Sequence, residues 1–158
     1  SERRRYFSEN DYEINLKILS ALRNGLKPVV CVGETREERE THATLRVITC
    51  QVRGALENVS RGKIKDFIIA YEPVWAVGTD IVPSSDEVLG AKLLIKKILV
   101  GLFGNQYGQE TPIIYGGSVN AKTLQQVCID PGMSGALVGR ESLTPREFIR
   151  MAELLEKG

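Results

Sequence analysis

Two kinds of residue in this sequence stand where they could do chemistry. The first is Glu72, a carboxylate at the end of the apolar run 65–72, followed by Pro73, Val74, the chain's only tryptophan Trp75, and the small residues Ala76, Val77, Gly78 and Thr79. A carboxylate there is either a solvated or ion-paired strand end or a general base. A base that moves a proton beside a carbonyl must be aligned and open to desolvation. Proline fixes φ directly behind it, and the small residues beyond form a segment able to swing over a substrate. The second kind is glycine with a polar or cationic neighbour: Gly116, Gly117 and Ser118 after the run 111–117, and Gly139 with Arg140 after the run 134–139. Glycine lets backbone N–H groups approach an anion and helix N-termini add to the attraction, which suits a phosphate. Either turn alone is equally well a plain tight turn. Two of them after consecutive strands allow one ligand to be gripped from both.

These residues need strands and helices to hold them. Four apolar runs rich in β-branched residues, 27–34, 65–72, 111–117 and 134–139, read as strands, continuous rather than alternating, as parallel strands covered on both faces are. Helical stripes lie around them. Ile14, Ile18, Ala21 and Leu22 form one before Gly25, and Leu45, Ile48, Val52 and Leu56 a second after Thr35, with Glu38 three residues on. A third carries Val88, Ala91, Ile95, Ile98 and Leu102 between the capping pair Ser84 and Glu87 and the stop at Gly104. A short fourth follows Asn120, and a fifth, with Phe148, Met151, Leu154 and Leu155, starts at Thr144 and Pro145 with Glu147. One helix and then four βα units, without a low-complexity linker, predict a single α/β domain with a right-handed parallel sheet, either open and doubly wound or part of a barrel. In both architectures the C-terminal strand ends carry the site.

Composition narrows the function. A chain of 158 residues, 42% hydrophobic and 26% charged with a net charge of +1, describes a soluble globular unit. Its interspersed charges leave no basic stripe for nucleic acid, and no apolar run approaches the ~18 residues of a membrane span. Cys31, Cys50 and Cys128 are odd in number and form no C-x-x-C pair, which argues for reduced, buried thiols in a cytoplasmic protein and against a disulfide framework or metal site. His42, in a polar helical stretch, reads as a surface residue. No G-x-G-x-x-G or G-x-x-x-x-G-K-[ST] follows a strand, which argues against a nucleotide-binding domain. Ser1 is no start methionine and SERRRYF has no apolar signal core, so further chain is expected upstream.

The stretches SERRRYF, VVCVGETREERE, IAYEPVWAVGT, IIYGGSVN and GALVG follow one another from Ser1 to the last helix, and together they make the chain resemble the triosephosphate isomerase family. The resemblance implies that Glu72 is the catalytic base, shuttling a proton between two carbons of dihydroxyacetone phosphate and glyceraldehyde 3-phosphate, with no cofactor and no metal. It implies Pro73, Val74, Trp75, Ala76, Val77, Gly78 and Thr79 as hinge and lid, with the Gly78 amide on the phosphate. Ser118, Gly139 and Arg140 are implied as the other phosphate contacts, and Tyr115, Gly116 and Gly117 as the segment that locks the closed lid. Glu2 matches an acid near the site and Cys31 a buried cysteine beside it. Asp80 stands where the family has glycine, and Arg140-Glu141 replaces a smaller pair.

The family forms a complete (β/α)8 barrel of about 250 residues. The resemblance therefore implies a partial TIM barrel here: residues 1–158 as a single C-terminal half-barrel with four parallel strands and about five helices. The family's first-strand asparagine and lysine have no counterpart, and its catalytic histidine would stand directly before Ser1. Losing one oxyanion donor typically costs ~100- to 1,000-fold, so the chain alone is expected to be inactive or nearly so. Four such strands leave two open edges and an uncovered apolar face, so a homodimer pairing two half-barrels is expected. The alternative is a self-associating half-barrel, structural or phosphate-binding, without turnover.

Overall fold

Three of the apolar runs form a parallel sheet in a computed structural model that describes residues 2–157. The strands β1 (Val29–Val32), β2 (Ile68–Tyr71) and β3 (Ile113–Tyr115) lie side by side in chain order. Around them run α1 (Glu2–Phe7), α2 (Asp11–Arg23), α3 (Arg36–Glu40), α4 (Thr44–Ala55), α5 (Ser85–Phe103), α6 (Asn105–Glu110) and α7 (Pro145–Lys157). Asn10 with Glu13, Thr35 with Glu38 and Ser84 with Glu87 form reciprocal capping boxes, each satisfying two backbone N–H groups at the start of α2, α3 and α5. The expectation of a histidine directly before Ser1 lies outside the described residues.

The expected four strands and about five helices are corrected in three places. The run 134–139 makes one parallel bridge, Tyr115 to Ala136, and not a strand. Three hydrogen bonds do join it to β3: Ser134 N–H to Ile113 O (2.8 Å), Tyr115 N–H to Gly135 O (3.0 Å) and Leu137 N–H to Tyr115 O (2.7 Å). Gly135 at φ +154 lies outside the ordinary β region, and the hydrogen bonding to β3 ends at Leu137. The helix expected from Thr35 through Leu56 is two helices. His42 sits at φ +57, with Ala43 N–H bonded to Glu38 O (2.7 Å) and His42 N–H to Arg39 O (3.0 Å), a closing motif that usually takes glycine. The new helix axis turns Leu45 outward (66% exposed) and exposes Cys50, so only Cys128 of the three cysteines is fully buried. The helix expected after Asn120 is a turn followed by the π-helix Gln125–Ile129, while the short α1 and α6, whose stripes span barely two turns, went unread.

Parallel register sorts the sheet into two faces. Val30, Ile69 and Ile113 form one row and Val32, Tyr71 and Tyr115 the next, all 3% exposed or less against the helices. The rows between them, Val29 with Ile68 and Cys31 with Ala70 and Ile114, occupy the other face. Val29 is 42% exposed and Cys31, Ile68 and Ile114 are half-buried, so the expectation that both faces are covered is corrected: helices cover one.

Just beyond β1 the two chains pass with almost no room. Glu72 N–H donates to Val32 O (2.7 Å) and Val74 N–H to Glu34 O (3.0 Å), which clamps Gly33 against the Glu72 carbonyl. A Cβ on Gly33 would lie 1.9 Å from that oxygen. Gln51 of α4 holds Gly33 from behind, accepting its N–H (2.8 Å) and donating to its carbonyl (3.1 Å). Gly33→Ala is expected to destabilise the fold by about 3 kcal/mol or more. Gly90→Ala, in open space on α5, is expected to gain up to about 1 kcal/mol. Urea unfolding of the two variants checks the contrast; equal midpoints would contradict it.

Candidate active site

Glu72 continues the open face of the sheet. Two residues beyond the row of Cys31, Ala70 and Ile114 come Gly33, Glu72 and Gly116, with Gly116 N–H bonded to Tyr71 O (2.8 Å). Both neighbours of the half-buried Glu72 in that row are glycines. Glu2, Cys31 and Glu72, all expected at the site, line one open groove of about 420 Å³ together with the cationic Arg3, Arg4 and Lys17. Burial, and then the nearby charge of Glu72, pushes the Cys31 thiol above its ordinary pKa, which keeps it protonated and unreactive.

The segment behind Glu72 is buried at its base and exposed at its tip. Pro73, buried at φ −61, starts the 3-10 turn Val74–Ala76, and Ala76 is fully buried. Trp75 Nε1–H donates to Glu34 Oε1 (2.9 Å). Val77 is half-buried, Gly78 at φ +67, Thr79 and Asp80 are exposed, and the Thr79 hydroxyl donates to Trp75 O (3.2 Å). The tip is fastened across the loop that follows β3: Gly78 N–H donates to Ser118 Oγ (3.0 Å) and Ser118 N–H to Ala76 O (3.2 Å). Two of the expected phosphate donors therefore meet each other. Gly139 and Arg140 do not join them; both are exposed at the turn Arg140–Leu143, where the Gly139 carbonyl accepts from the Ser142 N–H (3.0 Å) and hydroxyl (2.7 Å).

Tyr115 is wholly buried, and its hydroxyl has no hydrogen-bond partner among the described residues. It lies against Gly117, where a Cβ would stand 2.3 Å from the phenol oxygen, so only glycine fits that position. A buried hydroxyl left unbonded costs roughly 1–3 kcal/mol.

Sequence reasoning passed over the residues that anchor this segment. Glu34 is fully buried and accepts from Trp75, from the Tyr71 hydroxyl (3.2 Å) and from Arg39 Nη1 (3.3 Å). The Arg39 guanidinium also stacks 4.4 Å from the Trp75 ring centroid and bonds to Glu87. The signal that found Glu72, an acid ending an apolar run, was present at Glu34 as well. Among the described residues no cluster of three or more His, Cys, Asp or Glu could hold a metal, and no helix is long and apolar enough to cross a membrane. The arrangement offers a carboxylate in a groove and, at the same end of the sheet, an amide and a hydroxyl that can turn to an anion.

Comparison with known proteins agrees with the resemblance. The family model of triosephosphate isomerase matches residues 1–155. The triosephosphate isomerase of Citrifermentans bemidjiense is 40% identical over 156 residues, 99% of this chain and 62% of that protein. That of Malacoplasma penetrans is 41% identical over 154 residues (98% and 62%), and that of Dictyoglomus thermophilum 44% over 148 (94% and 59%). The chain spans about 60% of the length of these curated relatives.

The buried phenols weaken the fold in alkali. Burial, and then the charge of Glu34, raises the Tyr71 hydroxyl far above the ordinary tyrosine pKa, and burial raises Tyr115 likewise. An unfolded chain ionises tyrosine near pH 10 while the folded chain keeps these two neutral, so their stabilisation is complete below about pH 10 and is lost as pH rises beyond it. Each phenol contributes a slope of about 1.4 kcal/mol per pH unit. Urea midpoints from pH 9 to 11.5 are expected to fall, and Tyr71→Phe to remove about one proton's worth of slope; an unchanged slope in that variant would contradict the assignment.

Proposed function

The chain belongs to the triosephosphate isomerase family, and on that footing we propose that it is the C-terminal part of a (β/α)8 barrel that interconverts dihydroxyacetone phosphate and glyceraldehyde 3-phosphate. Glu72 takes a proton from the carbon beside the carbonyl and returns it to the former carbonyl carbon, while the hydroxyl proton moves between the two oxygens of the enediol. Net bonding changes only in where two hydrogens, one on carbon and one on oxygen, and one double bond sit, so no cofactor is required. The observation that carries this reading is the hydrogen bond of Gly78 N–H to Ser118 Oγ (3.0 Å) beyond the Glu72 strand end. A phosphate entering there exchanges one bond between protein groups for two to itself. Gly139 and Arg140 supply further amides once the substrate is bound. Residues 73–79 act as lid, and the unsatisfied Tyr115 hydroxyl beside Gly117 supports a bonded partner for it in the closed state. Glu2 and Cys31 shape the groove around the base.

The electrophile is the missing part. His42, the only histidine, is exposed in the turn between α3 and α4. The polarising groups would come from the part of the longer protein that this chain does not cover, and the chain by itself is expected to show background turnover only. Joined to the upstream portion of the Citrifermentans bemidjiense relative, it is expected to regain activity in a coupled assay of glyceraldehyde 3-phosphate. Glu72→Gln should then lower kcat by about 100- to 10,000-fold. Regained activity that ignores Glu72→Gln would defeat the proposal.

The half-covered face favours a second reading for the chain on its own. Val29 stands 42% exposed on the outer edge of β1, whose far side pairs with no strand among the described residues. Two copies set edge to edge would bury that row, and we expect a homodimer in solution, located in the cytoplasm. Light scattering at micromolar concentration measures this directly, and a monomer mass there would exclude it.

A further inference from the structure

The end of the sheet away from Glu72 carries a cluster of cations. Lys92, Lys96 and Lys97 of α5 fall at spacings of four and five and line a groove of about 600 Å³ with Gln109 and Ser134. That size lies within the roughly 300–1,000 Å³ of small-molecule sites. The groove opens where the chain enters β3 and the segment that bridges to it, since Thr111 stands two residues before β3 and Gly132 precedes the Ala136 bridge.

The lysines there donate to backbone carbonyls. Lys92 Nζ gives to Pro131 O (3.0 Å) and Gly132 O (2.5 Å), and Lys96 Nζ to Gln109 O and Thr111 O (2.7 Å). Each ammonium has three N–H bonds, so each keeps one unspent. Lys97 is exposed and makes no hydrogen bond or ion pair among the described residues. Ser134 Oγ accepts from Ile113 N–H (3.3 Å), which leaves its own proton to give away. No carboxylate lines the groove, and none of the three lysines is ion-paired among the described residues. Burial, and then the charge of Lys92, holds the Lys96 pKa below its ordinary value. Three like charges gathered by two backbone staples repel one another, and a multiply charged anion is what offsets that.

We propose that this groove is a second anion site, taking an oligophosphate chain, free or as the tail of a nucleotide, at the opposite end of the sheet from Ser118. The leftover N–H bonds of Lys92 and Lys96, the whole Lys97 ammonium and the Ser134 hydroxyl hold successive phosphoryl oxygens. A singly charged carboxylate would use too few of them. The site stands whether or not Glu72 does proton chemistry.

Isothermal titration of the full chain with inorganic tripolyphosphate at low salt tests it, alongside amide shifts by NMR. Binding is expected to weaken steeply with added salt and to move the amides of Lys97, Gly132 and Ser134. Lys97→Gln, which removes no bond of the folded structure, should weaken binding about tenfold, and Ser118→Ala should leave it unchanged. ATP is expected to bind as tripolyphosphate does and adenosine not at all. Unchanged affinity in Lys97→Gln, shifts confined to Gly78 and Ser118, or adenosine binding in the groove would each overturn the proposal.

Discussion

A single buried carboxylate keeps the working end of this sheet in shape. Glu34 has no exposed surface, and removing a charge from water is costly unless its oxygens are bonded. Here they take an indole N–H, a phenol O–H and a guanidinium. Those partners come from the turn Val74–Ala76, from β2 and from α3, and Arg39 goes on to Glu87, which caps α5. Both ends of the segment 75–84 therefore hang on one charged network. Removing any one partner leaves the charge undercompensated, which is why such networks hold their members tightly or fail together.

The two strand-end glutamates divide the labour by parity. Glu34 lies two residues beyond Val32 and Glu72 two beyond Ala70, and those rows face opposite ways. One acid is driven under the helices and becomes structural; the other faces the groove. The glycines enforce the difference. Gly33 lets the Glu72 backbone come within van der Waals contact, while Gly116 keeps the far side of the same row clear. The Gly33 approach is fixed from a distance by the Gln51 amide, which returns one hydrogen bond for each it receives.

Much of this was legible in the residues, and the failures have physical causes. The runs around Val30, Ile69 and Ile113 and the capping residues Asn10, Thr35 and Ser84 report local chemistry, so the sheet and helix starts could be read directly. Glu72, Cys31 and Glu2, which the resemblance implies near one site, line the same groove. The break at His42 was invisible because a non-glycine residue fills a left-handed position. The run through Leu137 and Val138 looks like any strand, and nothing in its residue types marks the end of its pairing with β3 at Leu137. Glu34 escaped because its role depends on Arg39 and Trp75, five and 41 residues away, converging in space.

The sheet's strand order carries a consequence for how the chain acquires its shape. β1, β2 and β3 are neighbours in space in the same succession in which they are synthesised, each joined to the next by its own helices. No strand waits for a later one to slip between itself and its partner. Each unit can settle on the one before it as it emerges, so loop closure is paid in short instalments and the rate-limiting search stays local. A sheet built in this order needs no later segment to complete the pairing of its earlier strands.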